Sequence, residues 1–117
     1  MVFTNYGIQQ AITRLGSDVS KISYIAIGTG SSIKNVNTTT LTNETQRKII
    51  ESYDYTTPRK ITVVSNFTTT EMSGTDLREF GSFDIVSLGS SWLIEGFPAV
   101  TFDGTNELTV DITIEGY

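Results

Sequence analysis

Residues Leu77 to Ile85 read Leu-Arg-Glu-Phe-Gly-Ser-Phe-Asp-Ile, a stretch that mixes strand-forming apolar residues with one basic and two acidic side chains. Side chains alternate along a strand, so the pattern predicts one face made of Leu77, Glu79, Gly81, Phe83 and Ile85. Most of that face is apolar. A buried carboxylate at Glu79 therefore needs a charged or hydrogen-bonding partner, and Arg47 is the expected one.

Outward from this stretch, the chain contains further segments with β-character. They are rich in Ile, Val, Phe, Tyr and Thr and lie at residues 22–27, 47–55, 60–69, 92–97 and 108–114. The last of them has the cleanest alternation of apolar and polar side chains. The 47–55 and 60–69 segments are joined by a short connection containing Pro58 and should pair in antiparallel fashion.

The N-terminal part of the chain predicts one short amphipathic helix over residues 6–15. Ile8, Ala11, Ile12 and Leu15 recur at the spacing that places side chains on one face of a helix. The whole chain is thus expected to be mainly β, an antiparallel β-sandwich of about six or seven strands with this one helix. Residues 1–117 are expected to form a single domain.

Composition restricts the chemistry of the protein. The chain has no Cys and no His, which removes disulfides, thiolate metal sites and the commonest general base. The net charge is −5, and Lys and Arg cluster only in pairs, so nucleic acid is not an expected partner. No apolar run reaches the roughly 20 residues that span a bilayer, and the N-terminus lacks a secretory pattern. We expect no enzymatic activity, no cofactor and no association with a membrane. The protein is expected to be made in the cytoplasm.

Two polar segments raise the possibility of ligand sites. Residues Gly28 to Ser32 resemble a phosphate-binding loop only in their glycines, and a tight turn explains them better. Residues 103–107 carry oxygen ligands for Ca²⁺, but a hairpin turn accounts for the same sequence. Glu79 and Asp84 could serve as an acid–base pair only if a bulge brought them to one face.

Aromatic residues suggest a second class of function. Tyr53, Tyr55 and Trp92 could stack on sugar rings from a sandwich face, as in a stand-alone carbohydrate-binding module for host-surface glycans. The alternative is that Trp92, the single Trp of the chain, fills the core beside Phe97.

The order of several short motifs resembles that of small tail proteins of tailed bacteriophages. The motifs are Asn5-Tyr6-Gly7 opening a helix, residues 24–30, a polar loop, residues 41–47, residues 78–83 and a final alternating strand. Proteins of this kind include the N-terminal, particle-proximal domains of tail fibres and related baseplate and neck proteins. The resemblance spans nearly the whole chain.

This resemblance implies a structural role in the virion, a mainly β fold, homo-oligomeric assembly with other tail, baseplate or neck proteins, and no enzymatic activity. The sequence ends at Tyr117 without a shaft or receptor-binding tip, so an adaptor, collar or baseplate piece is expected.

A structural role in assembly would also explain the charged residues and the glycine that are unusual in a β-segment. Glu79 and Arg47 would clamp the polar loop at 33–45 against the sheet, and Gly81 would let another backbone approach closely. The assembly surface is expected to combine the helix stripe with polar loop residues: Ile8, Ile12, Leu15, Asn35, Asn37 and Asn43.

Overall fold

The computed structural model describes residues 2–7, 22–54 and 60–115 of the chain. In this part the protein is mainly β, with eight strands in two antiparallel sheets. The strands are β1 (Val2–Phe3), β2 (Tyr24–Gly28), β3 (Glu44–Ile49), β4 (Ser52–Asp54), β5 (Lys60–Phe67), β6 (Asp76–Phe83), β7 (Leu93–Thr101) and β8 (Leu108–Glu115). The five-stranded sheet has the order β1-β7-β6-β2-β3, and the three-stranded sheet has the order β4-β5-β8.

Buried side chains from both sheets meet in one apolar cluster. β2 and β7 contribute Ile25, Ile27 and Leu93, while β5 contributes Val63 and Phe67. β8 adds every second residue, because its apolar side chains alternate with exposed Thr and Asp as the sequence predicts. β8 pairs with β5 over eight residues.

The five-stranded sheet buries a second, smaller cluster on its other face. This cluster consists of Ala26, Phe83 and Ile94 from three adjacent strands, covered by Leu41 from the loop between β2 and β3. The sheet is therefore apolar on both sides, and its second face is shielded by loops. That face also carries Glu79, which lies opposite Gly28 on β2.

The face predicted for the 77–85 stretch is only partly correct. The register of β6 and β7 shifts between Leu77 and Glu79, which sends Leu77 into the cluster shared by the two sheets. Phe83 lies in the second cluster, as alternation from Glu79 requires. The strand ends at Phe83, and Ile85 is an exposed residue of the following bend.

The prediction of one strand over residues 47–55 is wrong. The chain forms two strands there, and they belong to different sheets. The change occurs at Ile50 and Glu51, whose backbone amides donate to the carbonyl oxygens of Ser23 and Val64 respectively. The predicted antiparallel pairing with the 60–69 segment is confirmed for β4 and β5.

Helical structure occurs in two places in the described part of the chain. Residues 5–7 are helical, and the rest of the predicted 6–15 helix lies outside the described residues. A short helix, α1 (Thr69–Met72), begins at the last residue of the segment that was expected to be a strand over 60–69. Thr68 and Glu71 form a capping box at its start. Neither described helix has the length and hydrophobicity that crossing a membrane requires.

We predict that Phe67→Ala lowers the free energy of unfolding by about 3–5 kcal/mol, because the ring is fully buried between the sheets and its removal leaves a cavity. Val100→Ala is the control. Val100 is 48% exposed, and its truncation should change stability by less than about 0.5 kcal/mol. Urea denaturation measures both values, and equal losses in the two variants would refute the assignment of this core.

Candidate functional site

The β2–β3 loop, residues 29–43, crosses the face of the five-stranded sheet that carries Glu79. Its base is closed by the amide of Thr29, which donates to the carbonyl oxygen of Asn43 over 3.1 Å. Leu41 anchors the loop in the second apolar cluster. Long loops over a sheet commonly carry contacts, so the interactions that hold this loop define the first candidate site.

A single carboxylate holds the loop. The side chain of Glu79 has no solvent exposure and accepts hydrogen bonds from the backbone amides of Gly30 (2.9 Å), Thr42 (2.8 Å) and Asn43 (2.8 Å). Lys34 adds an ion pair, with its Nζ 2.7 Å from Oε1 of Glu79. All four donors belong to the loop. We call this arrangement the Glu79 clasp.

Glycines make room for the carboxylate. In the sheet, Glu79 lies between Gly28 on β2 and Gly96 on β7. A Cβ added at Gly28 would lie 2.5 Å from Oε2 of Glu79 and 2.5 Å from the carbonyl oxygen of Asn43. A Cβ at Gly30 would lie 2.7 Å from the same carboxylate oxygen. The glycines of residues 28–30 thus let backbone amides approach an anion, but the anion is the protein's own carboxylate.

The electrostatics of the clasp favour the charged carboxylate. Burial raises the pKa of the Glu79 carboxyl, but hydrogen bonds from Lys34 and from the amides of Asn43, Thr42 and Gly30 outweigh it and hold that pKa below its ordinary value. The side chain of Lys34 is itself only 3% exposed. A buried ion pair with all its partners in place avoids the penalty of an unmatched charge.

The predicted pairing of Glu79 with Arg47 is wrong. Arg47 lies opposite Ala26, two rows along the sheet from the row of Glu79. Its guanidinium instead forms a bidentate ion pair with Glu44, three residues earlier on the same strand. Nε donates to Oε2 over 2.9 Å and Nη2 donates to Oε1 over 2.7 Å. A local partner on its own strand satisfies Arg47.

Arg47 holds a different loop. Its guanidinium carbon lies 3.7 Å from the centre of the Phe83 ring, and its Nη1 donates to the carbonyl oxygens of Ile85 (2.9 Å) and Leu88 (2.8 Å). These residues belong to the β6–β7 loop, residues 84–92. Two buried or nearly buried side chains, Glu79 and Arg47, therefore fix one loop each on the same face of the sheet.

Gly81 lies at a crowded point between these two anchors. A Cβ there would be 3.2 Å from the carbonyl oxygen of Leu93 and 3.5 Å from Cδ2 of Leu41. The close neighbours are thus a strand backbone and the loop side chain that covers the second cluster.

The three asparagines of the expected assembly surface lie on the β2–β3 loop and are exposed. Each also has a local role, since Asn37 accepts from the side chain of Asn5, Asn35 accepts from the amide of Asn37, and Asn43 donates to Thr29. Their side chains stiffen the loop. The other expected assembly residues, Ile8, Ile12 and Leu15, lie outside the described residues.

The aromatic residues considered for glycan stacking do not form a shared exposed surface in the described part of the chain. Trp92 is 7% exposed and packs in the cluster between the sheets, with Nε1 donating to Asp84. Tyr53 packs against the same cluster and donates to the carbonyl oxygen of Ile22. Tyr55 lies outside the described residues. The ring of Trp92 is a core element, as the alternative interpretation of the sequence had it.

The polar groups considered for catalysis or metal binding have structural partners. Glu79 is enclosed by the loop, and Asp84 accepts from Trp92. Asp103 accepts from both the amide and the hydroxyl of Thr105, which lowers the pKa of its carboxyl and forms a turn. Within residues 2–7, 22–54 and 60–115, no three acidic side chains come together as a metal site requires.

Lys34 and the pair Gly28 and Gly96 are the site residues that sequence reasoning missed. The sequence does contain one signal: the glycines of residues 28–30 resemble those of a phosphate-binding loop, and the amide of Gly30 does point towards an anion. Lys34 is also the single cation between residues 22 and 46.

Comparisons of the chain with protein-family models, curated proteins and solved structures find no match.

We predict that Glu79→Gln lowers stability near pH 7 by about 3–5 kcal/mol, because it leaves Lys34 buried without its counter-charge. The folded pKa of Glu79 lies below its ordinary value of 4.5, so its contribution is complete above that pH and disappears as the pH falls through the folded pKa. The difference in Tm between the two proteins should therefore shrink in acid. A constant difference from about pH 7 to about pH 3 would contradict the clasp.

A second prediction compares the two glycines that flank Glu79. Gly28→Ala should destabilise the fold strongly, since its Cβ meets a backbone oxygen at 2.5 Å. Gly96→Ala should be tolerated, because its nearest contact is the flexible Lys34 side chain at 3.4 Å. Thermal unfolding should show the larger loss of Tm for Gly28→Ala. If Gly96→Ala lowered Tm as much as Gly28→Ala or more, the account of the space around the Glu79 carboxylate would be wrong.

Proposed function

We propose that this chain is a structural component of a tailed-phage virion that acts through protein–protein assembly, as an adaptor, collar, baseplate or neck piece. The order of sequence motifs supports the virion assignment. The geometry supports action through protein–protein contacts, because two loops that are fixed to the sheet carry exposed apolar side chains.

The observation that carries the proposal is a set of exposed apolar side chains on the two loops that cover one face of the five-stranded sheet. They are Ile33 (89% exposed) and Val36 (44%) on the β2–β3 loop, with Ile85 (47%), Val86 (65%) and Leu88 (84%) on the β6–β7 loop. Single exposed apolar residues are ordinary, but several on adjoining loops indicate an interaction surface.

These loops are ordered by specific contacts. The amide of Ser91 donates to the carbonyl oxygen of Thr39, which ties one loop to the other. Glu79 and Arg47 fix each loop to the sheet beneath. A surface that is already ordered loses little conformational entropy when a partner binds, and this favours its use in assembly.

The two sheets, in this proposal, pack face to face as a β-sandwich around their shared apolar cluster, with the N-terminal helix against it or against a neighbour. Such a body is stiff and presents loops at fixed positions. Three ion pairs of the described residues serve structure: Glu79 with Lys34, Glu44 with Arg47 and Glu71 with Lys48. We therefore propose a role in the particle without catalysis, cofactor, nucleic acid or membrane.

The direct test is location. An antibody raised against the purified chain is expected to label phage particles purified from a culture that produces it, at one defined position on the tail in electron micrographs. Antibody pre-incubated with the purified chain is the control and should give no label. A chain that remains entirely in the particle-free fraction would contradict the proposal.

A further inference from the structure

β8 forms one edge of the three-stranded sheet. It pairs with β5 from Leu108 to Glu115, and in the described part of the chain no strand pairs with its other side. Apart from this strand pairing, no backbone–backbone hydrogen bond among the described residues involves β8. The backbone N–H and C=O groups on its outer side therefore form a row that a further strand can bind. We call this side of the strand the β8 edge.

The other edge strands carry features that natural sheets use against such pairing. β1 and β4 have only two and three residues. β7 contains Pro98, and its register with β6 is irregular. β3 carries charged side chains at Glu44, Arg47 and Lys48, and its register with β2 shifts at Gly28. Each of these edges is thus a poor template for another strand.

β8 has none of these features. It has eight residues, it contains no proline, glycine or lysine, and its register with β5 is unbroken. Its only charged residues are Asp111 and Glu115. A long, regular edge of this kind is a template for strand addition. The contrast with the other edges points to a partner that supplies a strand at this one.

The apolar face of β8 indicates what this partner strand contains. Val110 and Ile112 are buried in the cluster between the sheets, whereas Leu108 and Ile114, on the same face, are only partly buried. An added strand with apolar residues at alternate positions would continue this row and cover it further. The partner strand is therefore expected to alternate as β8 itself does.

A second copy of β8 meets this requirement. Antiparallel pairing of two copies about a two-fold axis at Ile112 sets Ile112 opposite its own copy and Val110 opposite Ile114. The apolar faces of the two strands then lie on the same side of the joined sheet. On the other face Asp111 lies opposite Thr113, so that no acidic residue faces another.

The neighbouring registers are less favourable. An axis at Asp111 sets this residue opposite its own copy, and an axis at Thr113 sets Asp111 opposite Glu115. Like charges directly opposite one another destabilise a strand pair. The register about Ile112 pairs residues 109–115 of each copy and avoids both arrangements. It is the longest register that does so.

We propose that the β8 edge binds the β8 edge of a second copy of this chain, antiparallel and about a two-fold axis at Ile112. The two three-stranded sheets then form one continuous sheet. Both edges are occupied in the pair, so assembly through this surface ends at a dimer. This inference rests on the proposed assembly function and names one partner for it. The exposed apolar loops lie on the five-stranded sheet and remain for other proteins.

Sedimentation velocity and native mass spectrometry of the purified chain test the contact. The unaltered chain should form a dimer that dissociates on dilution. Thr113→Asp sets two carboxylates opposite each other twice per dimer and should raise the dimer Kd at least about tenfold. Thr62→Asp is the matched control, because Thr62 lies opposite Thr113 on β5, away from the edge. Both variants lose the same side-chain hydrogen bond between Thr62 and Thr113, but Thr62→Asp should dimerise as the unaltered chain does.

A compensating variant separates a change in pairing from a loss of structure. Asp111→Lys combined with Thr113→Asp sets a lysine opposite an aspartate in the same register and should restore the dimer. A monomeric unaltered chain, equal Kd values for Thr113→Asp and Thr62→Asp, or no recovery in the double variant would overturn the inference. Antibody labelling of particles together with any of these results would leave the virion role standing. A dimer with these properties but no label on particles would contradict the virion role alone.

Discussion

A carboxylate removed from water must be matched by donors, and the β2–β3 loop is arranged to match one. Glu79 lies on the sheet face opposite the main apolar cluster, between two glycines, and every one of its donors comes from residues 30–43. The cost of leaving this charge unpaired, about 3–5 kcal/mol, is a large fraction of the stability of a small domain. One side chain beneath the loop therefore binds it near both ends, at Gly30 and at Thr42 and Asn43.

The same face carries a second polar anchor with a different design. Arg47 places its guanidinium on Phe83 and binds two carbonyl oxygens of the β6–β7 loop, so it fixes backbone acceptors where Glu79 fixes backbone donors. Between these anchors, Leu41 completes the smaller apolar cluster. The loops are thus held by their backbones, which leaves side chains such as Leu88 free to face outward.

The need for a partner at Glu79 could be predicted from the sequence, since a carboxylate among alternating apolar residues is costly wherever the strand lies. The identity of the partner could not. It depends on the strand register, which places Arg47 two rows from Glu79, where its guanidinium pairs with Glu44. It also depends on the path of the loop, which brings Lys34 to the carboxylate. The mainly β class could be predicted from the abundance of β-branched and aromatic residues. The two faces of the last strand could be predicted from its alternation of apolar and polar residues. The change of sheet at Ile50 depends on long-range pairing, which local patterns do not contain.

The most direct measurement is amide hydrogen exchange of the unaltered protein, resolved by residue with NMR near neutral pH. The amides of Gly30, Thr42 and Asn43 lie in a loop, where exchange is ordinarily fast, yet each donates to a buried carboxylate. The account predicts that these three amides are protected to a similar degree and exchange far more slowly than that of exposed Ser31. Exchange of all four at the rate of an unstructured chain would show that Glu79 does not hold the loop.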